Sequence, residues 1–235
     1  RHLMIKKYEL TSKSMHHKGI KLYQIKARIP FSNVLQGETG GWVQSEKNLS
    51  QEGDCWIYDN GKVYEDARVI EDATVGDMAE VYNEAQVAGS CEIYHSALIL
   101  GQARVTETAE VYNNARISDS AKIYGKARIY NNAQVVNQSE VYEAAEVYGD
   151  SKILEESIIR GFSNISGNAR IISSEIWNTA SVDSNAIVTN SKISGRSSIM
   201  GNARITHSEI QETSSISDLA EVSAGAVIID SSIDG

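Results

Sequence analysis

The chain has 235 residues, a single proline, frequent Val, Ile and Tyr, and a formal net charge of −9. That acidity argues against non-specific nucleic-acid binding and anionic membranes, both of which need clustered Lys and Arg. No stretch approaches the roughly 20 apolar residues of a membrane span. The segment after Met4 also lacks the apolar core of a signal peptide, so a cytoplasmic protein with no membrane or nucleic-acid partner is expected.

Arg1 to Leu3 precede the first methionine and read as leftover residues outside the fold. Residues 4–50 are read as a small N-terminal β cap. Tyr23, Ile25, Ala27 and Ile29 alternate with Gln24, Lys26 and Arg28, which is strand periodicity. The segment Met4 to Leu10 can pair with that strand across a turn near Lys18-Gly19, and Pro30 ends it by removing a backbone donor. Trp42 and Leu49 are the expected plugs of the cap. Gly37 to Gly41 do not make a phosphate-binding loop, because no Lys-Ser/Thr and helix follow.

Residues 51–235 repeat one six-residue unit. A small residue stands at Ala67, Ala73, Ala79, Ala85, Cys91, Ala97 and onward, with Val or Ile two positions later. A fixed period repeated this often marks a solenoid, whose units bury their apolar edges only by stacking. Two inward residues and a corner per unit, three times round, give a triangular coil of 18 residues and about ten coils. Corner chemistry falls at Asp59-Asn60, Asn83, Gly89, Gly101, Asn113-Asn114, Gly125, Asn131-Asn132 and Gly149, where Gly and Asn tolerate positive φ. In the second half the steps Ala169 to Ser174, Ala186 to Ser191 and Ala203 to Ser208 shrink to five residues. A contraction at every third unit means that one corner of a triangle has lost a residue. Cys55 and Cys91 both take the small inward slot two coils apart, roughly 10 Å. That is beyond disulfide reach, so two reduced thiols are expected.

The unit Val81 to Gln86, with Ala85 four residues after Val81, resembles the hexapeptide repeat of left-handed parallel β-helices. The opening segments around Lys7 to Leu10, Leu22 to Ala27 and Gly40 to Asn60 are similar to the start of YdcK-like β-helix proteins of bacteria and their prophages. The resemblance implies an all-β, single-stranded left-handed parallel β-helix and kinship with trimeric acyltransferases. It also implies a homo-oligomer, a trimer by that kinship.

Acyltransferases of this superfamily use a histidine as general base, and a base must reach the acceptor's proton. Only His95 and His207 lie in the repeat, both at corners about six coils apart, so they cannot cooperate within one chain. They are the catalytic candidates if the chain is an acyltransferase using acetyl-CoA; otherwise no catalytic residue and no cofactor are expected. Two distant corner histidines do not make the three-histidine zinc site of related carbonic anhydrases, so no metal is assigned.

Sorted by coil, one outer face stacks Tyr58, Tyr94, Tyr112, Tyr130 and Tyr148, interrupted at Gly76, with Glu92 and Glu110 alongside. These are the candidate binding residues, because Tyr offers apolar area and a polar tip at low entropy cost. Stacked rings can equally serve only to stiffen the coil. A second face carries Tyr64, Tyr82, Leu98, Leu100, Val136 and Leu154, an apolar row expected at an oligomer interface. Three readings follow. The first is a non-enzymatic, oligomeric binding or scaffold protein. The second is an acyl-CoA-dependent hexapeptide acyltransferase. The third is a phage- or prophage-encoded protein that sequesters a host protein or small signalling molecule.

Overall fold

The computed structural model describes residues 5–235; Arg1 to Leu3, and Met4 of the cap, lie outside the described residues. Short strands joined by tight turns, four residues long in the regular coils, wind into a parallel β-solenoid with three walls. The first wall is an 11-stranded sheet from Trp56–Ile57 to Ser232–Asp234. The third is a 10-stranded sheet starting at Arg68–Val69. The second wall has 13 strands, because three cap strands precede Lys62–Val63. Each coil strand pairs in register with the strand one coil away, as in Glu92 with Thr74 and with Glu110. The tube makes about eleven coils, one more than the period alone suggested, because the irregular segment after Ala220 still completes its rungs.

The alternation of small and aliphatic residues builds the core. Ala73, Ala109 and Ala127 are fully buried beside Val75, Val111 and Ile129, which stack coil upon coil. Each aliphatic column residue contributes roughly 1.5–3 kcal/mol of burial. Cys55 and Cys91 are free and buried in the small slot; burial pushes the Cys91 thiol up to about 12.

One corner residue per unit takes the left-handed conformation, at φ +52° for Asp59, +57° for Asn83 and +55° for Asn113. Asn60, Asn114 and Asn132 do not; they follow the corner. The contracted corner lies between the second and third walls. There the second-wall strands lengthen to three residues, as in Arg170–Ile172 and Ile187–Thr189. Serine replaces alanine at the tightened slot for a reason. The Ser174 hydroxyl accepts the Ser191 N–H at 3.0 Å, and the Ser191 hydroxyl accepts the Ser208 N–H at 3.0 Å. Each hydroxyl also donates to a carbonyl two residues back. An alanine there would leave a buried donor without a partner.

The cap consists of β1 (Tyr8–His17), β2 (Ile20–Ala27) and β3 (Thr39–Val43). β1 and β2 form the expected antiparallel hairpin, turning at Lys18 and Gly19 with φ of +52° and +79°. Positive φ at both turn residues matches the twist of the flanking strands. β3 is antiparallel to β2 but parallel to Lys62–Val63, so it joins the hairpin to the second wall. Leu49 plugs the tube end as expected, fully buried and bridged to Val69. Trp42 does not. Val43 takes the inward position, and Trp42 faces outward against Leu22 and Tyr64. The other plugs are Tyr8, Ile25, Ala27 and Val34. Gly41 explains part of the glycine-rich segment: a Cβ there would lie 2.4 Å from the Gly61 carbonyl oxygen and from Ile57.

Candidate functional site

The side chain that follows each first-wall strand stacks on its equivalents one coil away. Tyr94, Tyr112, Tyr130 and Tyr148 form a continuous ladder, with centroid separations of 4.8, 5.0 and 4.9 Å and planes within 4°. The rings spend their faces on one another, so solvent meets edges and hydroxyls at one-coil intervals. Burial, then the Glu110 charge, pushes the Tyr94 hydroxyl up to about 12, so at neutral pH it is a neutral phenol that can donate a hydrogen bond. Tyr130 is raised for the same reasons, burial first and then Glu146, to which its hydroxyl donates at 3.3 Å. Tyr58 belongs to the same column but is separated from the ladder by Gly76 and packs partly against the core.

Beside the ladder, Arg128 pairs with Glu110 at 2.9 Å. Glu92, one coil above, is exposed and has no basic partner within salt-bridge distance among the described residues. Partial desolvation and then the neighbouring Glu110 carboxylate raise it from its ordinary value. Trp56, at the top of the same outward row, is buried under Phe31 and Tyr8 of the cap, with ring centroids 5.2 and 6.2 Å away.

The corner between the first and second walls explains His95. From His95 to Gly149 the backbone N–H of each left-handed residue donates to the previous coil's corner side chain. Asp77 accepts the His95 N–H at 3.0 Å, and His95 Nδ1 accepts the Asn113 N–H at 3.3 Å. Asn113 then accepts from Asn131 at 3.0 Å, and Asn131 from Gly149 at 3.0 Å. The other corners do the same: Asp119 accepts from Asn137, Glu107 from Gly125 and Glu71 from Gly89. His95 is thus one rung of an acceptor ladder, and its Nδ1 lone pair is in use. The nitrogen geometry assigns its proton to Nε2. An open groove of about 520 Å³ runs along this corner between His95 and Asp150.

His207 lies on a different corner, between the second and third walls, with φ +49° and its Nε2 3.4 Å from the Asn190 amide nitrogen. The structure therefore does not bring the two histidines together. Among the described residues no group of three His, Cys, Asp or Glu side chains is placed to hold a metal ion. Among the same residues no helix is long and apolar enough to cross a membrane.

The second-wall row expected at an oligomer face divides in two. Tyr64 is only 1% exposed, stacked on Tyr82 at 5.1 Å, and covered by the tip of the β1–β2 hairpin. His17 Nε2 sits 2.6 Å from Glu80, to which the Tyr64 hydroxyl donates at 2.7 Å, and the Lys18 ammonium lies 5.0 Å from the Tyr82 ring. These two tyrosines are thus occupied by the chain's own cap, which corrects their assignment to a free face. Leu98, Leu100, Val136 and Leu154 lie half-buried farther along the wall.

A third column extends the pair Tyr124 and Tyr142, which coil spacing already places on one face. On the third wall Tyr124 and Tyr142 stack at 4.7 Å, and the next two positions are Arg160 and Trp177. The Arg160 guanidinium lies 5.0 Å from the Trp177 ring centroid and is held by Glu175 at 2.8 Å. A planar cation thus takes the place of a ring in an aromatic ladder. The signal was present in the 18- and 17-residue steps from Tyr142 to Arg160 to Trp177.

With this geometry in hand, comparison with known proteins adds one relative. The chain is 46% identical over 46 residues to a protein of Escherichia coli K12 named as the uncharacterized acetyltransferase YdcK. That stretch is 20% of this chain and 14% of the relative's length. No protein-family model matches the chain. The short match and the solenoid are compatible with a hexapeptide-repeat β-helix family.

Proposed function

We propose that the chain is a rigid binding scaffold, a YdcK-like left-handed β-helix, whose working surface is the first wall. The observation that carries this reading is the four-tyrosine ladder, a row of phenol hydroxyls at fixed one-coil spacing. Tyrosine presents contact area and a polar tip with little rotamer freedom to lose, and stacking pre-orders the row further. The half-buried residues Leu98, Leu100, Val136 and Leu154 on the second wall suit a homo-oligomer, a trimer by analogy with related helices. A cytoplasmic setting fits the reduced thiols.

A second reading, an acyl-CoA-dependent acyltransferase, is supported by the relative's name. Under it, His95 or His207 would act as general base on an acceptor in a cleft between subunits, with acetyl-CoA as donor. The engaged Nδ1 of His95 fits that role poorly, since a base needs a free lone pair aimed at the acceptor.

Native mass spectrometry of the protein purified from its host tests the scaffold reading. The wild type is expected to retain a bound partner or small molecule that the double variant Tyr112→Ala, Tyr130→Ala loses. Equal retention by both forms, or none by either, would remove the first wall as the working surface.

A further inference from the structure

The tyrosine column has one missing rung, at Gly76. Ile57 pairs with Val75 and Val75 with Ile93, so Tyr58, Gly76 and Tyr94 are successive positions in one column. A Cβ added at Gly76 would meet a single atom within 4 Å, the Tyr58 Cβ at 3.5 Å, which is ordinary van der Waals contact. One face of the Tyr94 ring rests on Tyr112, the other lies toward the Gly76 position, which has no side chain, and the His95 ring packs edge-on to it at 4.8 Å. The result is a slot one coil high with an aromatic floor.

The third wall shows what fits such a slot. There Arg160 occupies the rung above Trp177 and reaches Glu175, which lies two residues before Trp177 on the same coil. The register around the missing rung is the same. Gly76 stands where Arg160 stands, Tyr94 where Trp177 stands, and Glu92, two residues before Tyr94, where Glu175 stands. An aromatic floor and an acid are in place; only the cation is absent from the chain's own sequence. Glu110 has its arginine, Arg128, and Glu92 has none among the described residues. The raised affinity of Glu92 for its proton, caused by burial and by Glu110, is what an approaching cation would relieve.

We propose that the Gly76 slot receives the guanidinium of an arginine from a partner polypeptide, stacked on Tyr94 and paired with Glu92. Arginine suits the site better than lysine, since a planar, weakly hydrated cation can both stack and bond in its plane. This proposal rests on the scaffold reading of the first wall and names the chemistry of what that wall takes.

The test uses full-length protein with 13C-labelled tyrosine rings, titrated with a capped glycine–arginine–glycine peptide and with its lysine counterpart. The arginine peptide is expected to move the Tyr94 ring resonance saturably, and the lysine peptide to bind roughly fivefold or more weakly. Glu92→Gln is expected to weaken the arginine peptide by about fivefold. Gly76→Tyr fills the slot with the ring the column lacks; it is expected to raise Tm and abolish binding. The rise in Tm separates a filled slot from a misfolded variant. An unmoved Tyr94 resonance, equal binding of both peptides, or full binding by Gly76→Tyr would overturn the proposal. Those outcomes leave the scaffold reading standing, because that reading is decided by partner retention in the Tyr112 and Tyr130 variants.

Discussion

Replacing Val111 by Asp is expected to break the solenoid at its middle. Val111 is fully buried, in register with Ile93 above and Ile129 below. A carboxylate there would have only aliphatic neighbours, and an unpaired charge in such a column costs more than about 4 kcal/mol. Protonation would lessen the charge penalty but leave a polar group without partners. Because each coil touches only the coils beside it, the damage should begin at this coil and spread from it. Limited proteolysis should cut near residue 111, and thermal unfolding followed by circular dichroism should lose its single transition. Val111→Ala, which only thins the column, is expected to cost about 2 kcal/mol and keep one transition. A Val111→Asp protein that melts as the wild type does would contradict the column account.

The second large effect is expected at the other kind of weak point, the tube's end. Tyr8 is fully buried, its ring is edge-on to Trp56, and its hydroxyl donates to the carbonyls of Leu49 and Glu46. Around it the cap pairs polar groups that the first coil would otherwise leave open. The Lys7 ammonium, on a side chain 3% exposed, donates to the Gly53 and Cys55 carbonyls at 3.0 and 2.8 Å. Asn48 donates to those of Glu65 and Ala67, both at 2.9 Å. Tyr8→Ala removes a buried aromatic and orphans two carbonyls, a loss of about 3–5 kcal/mol. Loosening the cap exposes the edge of the first coil, which is a template for end-to-end association. Differential scanning calorimetry should show a lower Tm, and light scattering a concentration-dependent rise in mass. Tyr8→Phe, which keeps the ring but leaves the same two carbonyls unpaired, is expected to lose about 1–3 kcal/mol and stay monodisperse. An unchanged Tm for Tyr8→Ala would show that the cap's hold on the tube lies elsewhere.

What was legible in the sequence was whatever the period enforces. The walls, the Val and Ile columns and the contracted corner all follow from spacing, since a coil that must stack on its neighbour leaves the inward residues no freedom. The tyrosine ladder was readable for the same reason: residues 18 apart share a column, and four consecutive coils carry Tyr. What spacing hides is contact that leaves the coil. A lone large aromatic in a turn-rich segment gives no alternation to say that Val43 rather than Trp42 faces inward, and a one-residue slip turns every side chain to the opposite face. Nothing local to Tyr64 announces that the tip of the β1–β2 hairpin folds over Tyr64 and Tyr82. Leu22, Met15 and Ile20, apolar residues on the far half of that hairpin, were the available hint.

The histidines illustrate a subtler loss. Corner positions were expected to carry Gly and Asn for their tolerance of positive φ, yet Glu65, Glu71, Asp77, Glu107 and His95 occupy the same conformation. Backbone preference alone does not select them. Several instead supply a side-chain acceptor for the next coil's N–H, a need visible only once the coils are stacked. Seen this way, the most reactive side chain of the first corner is a structural rung, and Asn should replace it well. His95→Asn keeps both an acceptor and a residue tolerant of the left-handed conformation, so its Tm should stay near that of the wild type.

That variant also gives the most direct test of the central claim, that the first wall binds while the corners hold the coils together. Free thiol released from acetyl-CoA can be followed with purified wild-type and His95→Asn protein over a panel of amine and hydroxyl acceptors. The account predicts no release above buffer for either protein. Turnover by the wild type that vanishes in a well-folded His95→Asn would contradict it and make His95 a catalytic base.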